Sequence, residues 1–228
     1  MVTPHRPHRL IERLDILFED GEAIAISKPA GLAVDRPRDG SPSVESLLPD
    51  LRLGFGRPPF ITHRIDRDTS GCLVLARNPK ALKRVMAAFE EGAVEKTYLA
   101  ILNGIPDQAE GVIDLPLAKI SSREAGWRII ADPNGKPALT HWRKLAEKGE
   151  RSLILFTPQT GRTHQLRVHA AEGLGLSILG DPVYGQPRAD GMMLHAWKIS
   201  IPREGKPPIA AEAPFPDRFR KAGFDAPD

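Results

Sequence analysis

Phe60-Ile61-Thr62-His63-Arg64-Ile65-Asp66-Arg67-Asp68-Thr69-Ser70-Gly71 runs directly into the apolar segment Cys72-Leu73-Val74-Leu75-Ala76. Carboxylates, guanidinium groups, a histidine and hydroxyls are packed between apolar residues, and the cluster closes on a glycine at the mouth of a strand. A loop that feeds a buried strand holds its side chains on a rigid base while leaving them accessible, which is how catalytic groups are commonly presented. The alternative is a turn whose charges merely cap backbone groups and pair on the surface. From Phe60 to Arg84 the basic residues Arg64, Arg67, Arg77, Lys80, Lys83 and Arg84 outnumber Asp66 and Asp68, leaving +4. That excess suits a phosphate-bearing substrate, or a solvated basic helix face beside the loop.

Around this centre the composition is that of a folded, water-soluble chain, with 41% hydrophobic and 27% charged residues. Its 228 residues suffice for one large domain or two small lobes, and 22 prolines with 20 glycines imply short strands and many turns. The formal charge of +3 permits an anionic partner without demanding one. A single cysteine, Cys72, excludes an internal disulfide and points to a reducing compartment. No apolar run approaches the roughly 20 residues of a membrane helix, and no signal-peptide core follows the polar start. The cytoplasm is therefore the expected location.

Upstream, residues 1–13 read as a loosely ordered arm. Ile16-Leu17-Phe18 and Ala23-Ile24-Ala25-Ile26 flank Asp20-Gly21 and predict a β-hairpin. Lys28-Pro29-Ala30-Gly31 breaks the second strand. Ser41 to Leu48 reads as a short helix with Ser41 as its cap and Pro42 at its first position. Pro49 to Pro59 reads as a loop. Downstream of the central stretch, Asn78 is a fitting N-cap and Pro79 a fitting first helical residue. Leu82, Val85, Met86 and Phe89 repeat at helical spacing as an expected core face, and Gly92 ends the helix. Strands follow at 94–102, 111–115, 127–131, 138–145 and 152–157, with turns at Asp132-Pro133-Asn134-Gly135 and Lys148-Gly149. Thr160-Gly161-Arg162-Thr163-His164-Gln165-Leu166-Arg167-Val168-His169 is a second dense polar run after a strand, leading into a helix.

His63-Arg64-Ile65-Asp66-Arg67-Asp68-Thr69-Ser70-Gly71 resembles the signature of the RluA-type pseudouridine synthases, with isoleucine at position 65 where leucine is usual. Five further stretches are similar to motifs of that family and follow in its order: Lys28 to Gly31 as KPxG, Lys96 to Ala100 as K-x-Y-x-A, Gly161 to His169 as GRTHQIRVH, Ile178 to Gly185 as ILGDxxYG, and Leu194-His195-Ala196 opening a final strand. The resemblance implies an α/β fold of the α+β kind, with a mixed, largely antiparallel sheet in two lobes flanked by helices and a central catalytic cleft. Residues 14–228 would form the catalytic domain, with no S4-like RNA-binding domain ahead of it.

The activity so implied is isomerisation of specific uridines in structured RNA, ribosomal or transfer. The N1–C1′ bond must break, the base turn over, and C5 join C1′ with loss of the C5 proton. A carboxylate can add to C1′ or remove a ribose proton, and the sequence leaves both routes open. By resemblance Asp66 is that carboxylate, Arg167 the guanidinium that holds it, and Tyr98 the aromatic that stacks on the uracil. Arg64, Arg67, Thr69, Arg162, His164 and Gln165 are expected to contact RNA. Neither metal nor cofactor is expected. His164 and His169 are five apart, off the i, i+4 face of a helical metal pair, and no Walker or dinucleotide motif is present. A monomer bound to structured RNA, away from membranes, is expected. A kinase reading of the HRD-like run fails, because Leu53 precedes Gly54 where a metal-binding aspartate would stand and no glycine-rich loop with its lysine is present. The remaining alternative is an RNA-binding module of the same fold with an idle carboxylate.

Overall fold

The computed structural model of this protein describes residues 14–122 and 126–227, so the arm expected over residues 1–13 lies outside the described residues. In chain order the strands are β1 (Ile16–Glu19), β2 (Ala23–Lys28), β3 (Phe60–Ile61), β4 (Ser70–Ala76), β5 (Glu95–Leu102) and β6 (Glu110–Asp114). They continue as β7 (Leu117–Ser122), β8 (Gly126–Ala131), β9 (Leu139–Lys148), β10 (Arg151–Pro158), β11 (Leu194–Arg203) and β12 (Lys206–Glu212). Helices are few and mostly short: α1 (Val44–Leu47), α2 (Pro79–Glu90), α3 (Gln165–Val168) and α4 (Asp217–Lys221). Within the two units the pairs β1–β2, β2–β4, β3–β4, β11–β12, β5–β10, β9–β10, β6–β9 and β7–β8 are antiparallel. The fold is thus the mainly antiparallel α/β type expected. The described residues divide into two compact units, one running up to Val94 and joined by Lys198–Pro214, the other Glu95–Trp197 joined by the segment from Phe215 onward.

In the first unit β2 pairs with β1 and β4, and both faces of that sheet are covered. Successive strand residues point to opposite faces. Ala23, Ala25, Cys72 and Val74 therefore meet Val85 and Ala88 of α2, while Ile24, Ile26, Leu73 and Leu75 meet Leu32, Val34, Val44, Leu47 and Leu51. Double coverage is the reason these strands read as unbroken apolar runs rather than alternating ones. Small residues on the α2 side let that helix approach closely. Its buried stripe is Ala81, Val85 and Ala88, with Leu82 and Phe89 half-buried, and Met86 is 43% exposed. The expected assignment of Met86 to the core is therefore corrected: the stripe is narrower than the 3.6-residue pattern suggested, because alanines complete it. Asn78 caps α2 as expected, its side chain accepting the Ala81 N–H.

Helix α1 starts at Val44 with Ser43 as its cap, two residues later than expected. Ser43 and Ser46 form a reciprocal capping box, whereas Ser41 binds through its own N–H to Asp39. The expected loop over 49–59 contains a 3₁₀ turn at Asp50–Arg52. The strand opening at Leu194 is followed by β12, so it is not the final one.

In the second unit β5, β10, β9 and β6 pair in that order. One face carries Ala100, Leu102, Ile154 and Phe156 beneath Leu166 and Ala170 of the α3 region. The opposite face carries Leu99, Ile101 and Leu153 beneath Phe215, Phe219 and Phe224 around α4. The hairpin β7–β8 is a separate two-stranded sheet, and β7 lacks any counterpart among the strands expected from sequence. Its own small core, Leu117 and Ile129, packs on Ala138 and Val168. Gly135 is required beside it, since a Cβ there would lie 2.5 Å from the Leu117 backbone.

Candidate active site

The Asp66 loop is built by substitution of side chains for backbone. Strand β3 pairs with the end of β4 at Ala76 and Leu75. At the next position the Thr62 hydroxyl donates to the Val74 carbonyl (2.6 Å), and the Val74 N–H donates to His63 Nε2 (2.9 Å). The ladder's needs are met while the chain itself peels away. Stacking on Phe89, with ring centroids 4.7 Å apart, holds the His63 ring.

Asp66 then opens a tight turn, closed by Thr69 N–H to the Asp66 carbonyl (3.1 Å), that returns the chain to β4. The turn is clamped to the Lys28-Pro29-Ala30-Gly31 turn. Gly31 N–H donates to the Arg67 carbonyl (2.9 Å), and Arg67 Nε donates to the Gly31 carbonyl (3.0 Å). The fully buried Lys28 donates to the carbonyls of Pro29, Leu32 and Arg67 at 2.9, 2.7 and 2.9 Å. Burying an ammonium costs several kcal/mol unless its donors are used. Here three carbonyls take them, and one belongs to the neighbour of Asp66. Lys28 thus fixes the turn, a role that neither composition nor spacing disclosed.

Of the other residues expected here, Arg64 is exposed and pairs with Asp35 (2.5 Å), a contact worth at most about 1 kcal/mol in water. The Arg67 guanidinium is exposed too, with its Nε committed to the turn. Thr69 is only 2% exposed, inside the turn's base. Asp66 itself is half-buried.

In the second unit the Gly161–His169 run folds around Gln165. Its Oε1 accepts from the Thr160 hydroxyl (2.8 Å) and the Arg162 N–H (2.9 Å), while Nε2 donates to the Leu139 carbonyl (3.1 Å) and Thr140 Oγ1 (3.0 Å). At 4% exposure the amide is consumed by holding the loop. Thr140 in turn meets His169 Nδ1 (2.9 Å), whose Nε2 donates to the Leu115 carbonyl (3.1 Å). Because a carbonyl only accepts, the proton sits on Nε2, and the Thr140 hydroxyl donates to Nδ1. Burial pushes His169 below its ordinary value, with the Leu115 carbonyl and Asp114 acting the other way.

Arg167 is 4% exposed and grips the fully buried Asp181 by two hydrogen bonds, Nε to Oδ2 and Nη2 to Oδ1, both 2.7 Å. Asp181 Oδ1 also accepts the N–H groups of Val183 (2.8 Å) and Tyr184 (3.0 Å). Burial pushes this carboxyl up, but the Arg167 fork and charge and the two amides prevail and hold it below its ordinary value. Asp181 stands in the ILGDxxYG stretch, whose Gly180 has φ +81° and a Cβ position 2.1 Å from the Gly191 carbonyl oxygen. The motif was legible, yet the Asp181–Arg167 pairing was not, since it joins residues of two separate stretches.

His164 adopts φ 53°, ψ 18°, a left-handed conformation that costs a non-glycine residue about 1–2 kcal/mol. Its Nδ1 lies 3.0 Å from the Tyr184 hydroxyl, which accepts the Ile129 N–H (3.0 Å). The Tyr184 ring lies under Arg167, with the guanidinium carbon 5.2 Å from its centroid. Arg162 is exposed, donating from Nε to the Pro137 carbonyl (3.1 Å). Tyr98 is half-buried on β5, opposite Phe156 of β10. Burial lowers the neighbouring Lys96 below the usual lysine value.

Among the described residues no group of three or more His, Cys, Asp or Glu side chains is set to hold a metal, and no helix is long and apolar enough to cross a membrane. Burial pushes the Cys72 thiol up to about 12, so it is a core residue rather than a nucleophile.

A sequence model of the RNA pseudouridylate synthase family matches residues 22–172. The chain is 58% identical over 212 residues to a Zymomonas mobilis protein named as an uncharacterized RNA pseudouridine synthase, covering 92% of this chain and 97% of that one. It is 37% identical to a Rickettsia bellii ribosomal large subunit pseudouridine synthase C, covering 90% and 70% of the two chains. The solved structure of human RNA pseudouridylate synthase domain containing 4 superimposes with a TM-score of 0.80 at 24% identity, over 96% of this chain and 97% of that one, which speaks for the fold.

Proposed function

Because the chain belongs to the RNA pseudouridylate synthase family, and is an isomerase of that kind, we propose that Asp66 is the carboxylate that carries the reaction on specific uridines of structured RNA. The observation that carries this reading is the Asp66 turn. It bears the family's signature and is fixed by buried Lys28 and by the Arg67–Gly31 clamp, so that one carboxylate is presented half-buried on a rigid base. Reacting groups that are already positioned spare the reaction an entropic cost.

In this proposal Asp66 adds to C1′, or takes a ribose proton, as the N1–C1′ bond breaks and the uracil turns over. C5 then joins C1′ as the Asp66–C1′ bond breaks, or as the ribose proton is returned, and the proton lost from C5 balances the one gained at N1. Arg167 is the guanidinium proposed to hold the Asp66 carboxylate, and the Asp181 fork prevents that guanidinium from swinging away. Tyr98 stacks on the uracil and assists loss of the C5 proton. A uridine in a stem or folded loop must first leave its stack, at a cost of about a few kcal/mol. Exposed Arg64 fills the vacated space, and exposed Arg67 and Arg162 meet phosphates. For Thr69 and Gln165 the proposal is positioning, since both are buried. The reaction is redox-neutral, and we propose a cytoplasmic monomer working without metal or cofactor. The name of the Rickettsia relative favours ribosomal over transfer RNA as the substrate.

The test is tritium release from C5-labelled uridine in bulk transfer RNA and in ribosomal RNA. Wild-type protein should release tritium from at least one RNA, and Asp66→Asn should lower the rate by about a thousandfold or more while RNA binding persists. Full activity in Asp66→Asn would remove the mechanism. Binding by the wild type with no release would instead indicate an RNA-binding module with an idle carboxylate.

A further inference from the structure

The hairpin β7–β8 carries a feature that the reaction scheme leaves unused. Trp127, near the start of β8, is 48% exposed, whereas Trp142 and Trp197 are 5% and 6% exposed. An indole left half in water is costly in apolar surface, and it is the residue type most suited to stacking on a nucleobase.

Its setting is built rather than incidental. Strand alternation places Lys119, Trp127 and Ile129 on one face of the hairpin. Ile129 and Leu117 anchor that face in a small core with Val168, and the Ile129 N–H is held by the Tyr184 hydroxyl (3.0 Å). Beyond this anchor Trp127 meets the strained His164 ring edge to face, with centroids 5.2 Å apart and planes at 89°. The exposed Lys119 ammonium lies 5.8 Å from the indole centroid. An aromatic platform, a cation beside it and a rigid support therefore occur together, three residues from Arg167 along the chain at His164.

We infer that the Trp127–Lys119–His164 surface of the β7–β8 hairpin binds an unpaired nucleotide of the RNA substrate, distinct from the uridine being isomerised. Trp127 stacks on the base and Lys119 meets an adjoining phosphate. The left-handed His164 backbone turns its ring toward the indole and Tyr184, which couples occupancy of the platform to the loop that delivers Arg167. Stacking is tolerant of base identity, so the platform contributes affinity and register rather than base choice. The inference rests on the reading of this protein as an enzyme acting on RNA.

Intrinsic fluorescence and tritium release, measured together on bulk transfer RNA and ribosomal RNA, test it. Because the other two tryptophans are buried, quenching on RNA addition reports Trp127. Wild-type fluorescence should fall on binding, and Trp127→Phe should lose that change while retaining affinity within about threefold, since phenylalanine still stacks. Trp127→Ala should raise KM about five- to hundredfold with kcat within about twofold. Lys119→Ala should reduce the slope of log affinity against log salt by about one. Tritium release by a wild type whose fluorescence does not respond to RNA, or a wild-type KM in Trp127→Ala, would overturn the contact. Quenching without tritium release would sink the isomerase reading and leave the contact standing. A Trp127→Phe variant that binds as weakly as Trp127→Ala would also count against stacking.

Discussion

Arg167 and Asp181 show how a single residue's role depends on what else is buried with it. A guanidinium at 4% exposure is tolerable because both ends of its fork reach a carboxylate that is itself satisfied by two backbone amides. Arg167→Lys keeps the charge but cannot span both Asp181 oxygens. It should lower the rate of tritium release at least about tenfold, or ~1.4 kcal/mol of transition-state stabilisation. Asp181→Asn removes the carboxylate charge that takes both ends of the buried Arg167 fork. Urea unfolding of that variant should show a loss of about 3–5 kcal/mol, and an unchanged midpoint would refute the account of the pair. Lys28 obeys the same logic with carbonyls in place of a carboxylate, which is why a fully buried lysine can sit at the foot of the Asp66 turn.

At the scale of elements, α2 connects local sequence to the geometry of the site. Asn78 satisfies the Ala81 N–H, Pro79 suits the first turn, and the Ala81–Val85–Ala88 stripe seats the helix on the small-residue face of β2 and β4. Phe89 from the same helix supports the His63 ring, which in turn completes the hydrogen bonding of Val74. Loss of the cap should therefore be felt as stability. Asn78→Ala is expected to cost about 1 kcal/mol in thermal or urea unfolding, whereas a change at exposed Met86 should cost little. Helix α2 was readable because cap, proline and periodicity agree locally. Hairpin β7–β8 was half-missed because β7 alternates Leu117, Lys119 and Ser121 with Ala118 and Ile120, too weak a pattern to mark a strand until its partner is in place.

For the whole molecule, the His169 network predicts how stability responds to acid. Burial lowers the folded-state value of His169, so folding favours the neutral ring. The full contribution is present above the unfolded value of about 6.5, and it is lost progressively as pH falls below that toward the lowered folded value. Urea unfolding at pH 7.5 and 5.5 should show the wild type losing stability, by up to about 1.4 kcal/mol per pH unit from this group, and His169→Gln losing less over the same interval. A steeper loss in the variant would contradict the assignment. Much of the protein was settled by sequence alone: the antiparallel α/β class, the β1–β2 hairpin around Asp20, helix α2 and its cap, and the identity of the polar runs around Asp66 and Arg167. These are properties of short windows, where turn chemistry, period and motif spacing act between neighbours in the chain. Tertiary structure decided the rest. It made Lys28 a clamp 39 residues from Arg67, turned Gln165 inward, joined Arg167 to Asp181, and left Trp127 exposed beside His164. Each of these depends on which buried polar group meets which partner, and that is fixed only when separate stretches fold against one another and water is excluded from between them.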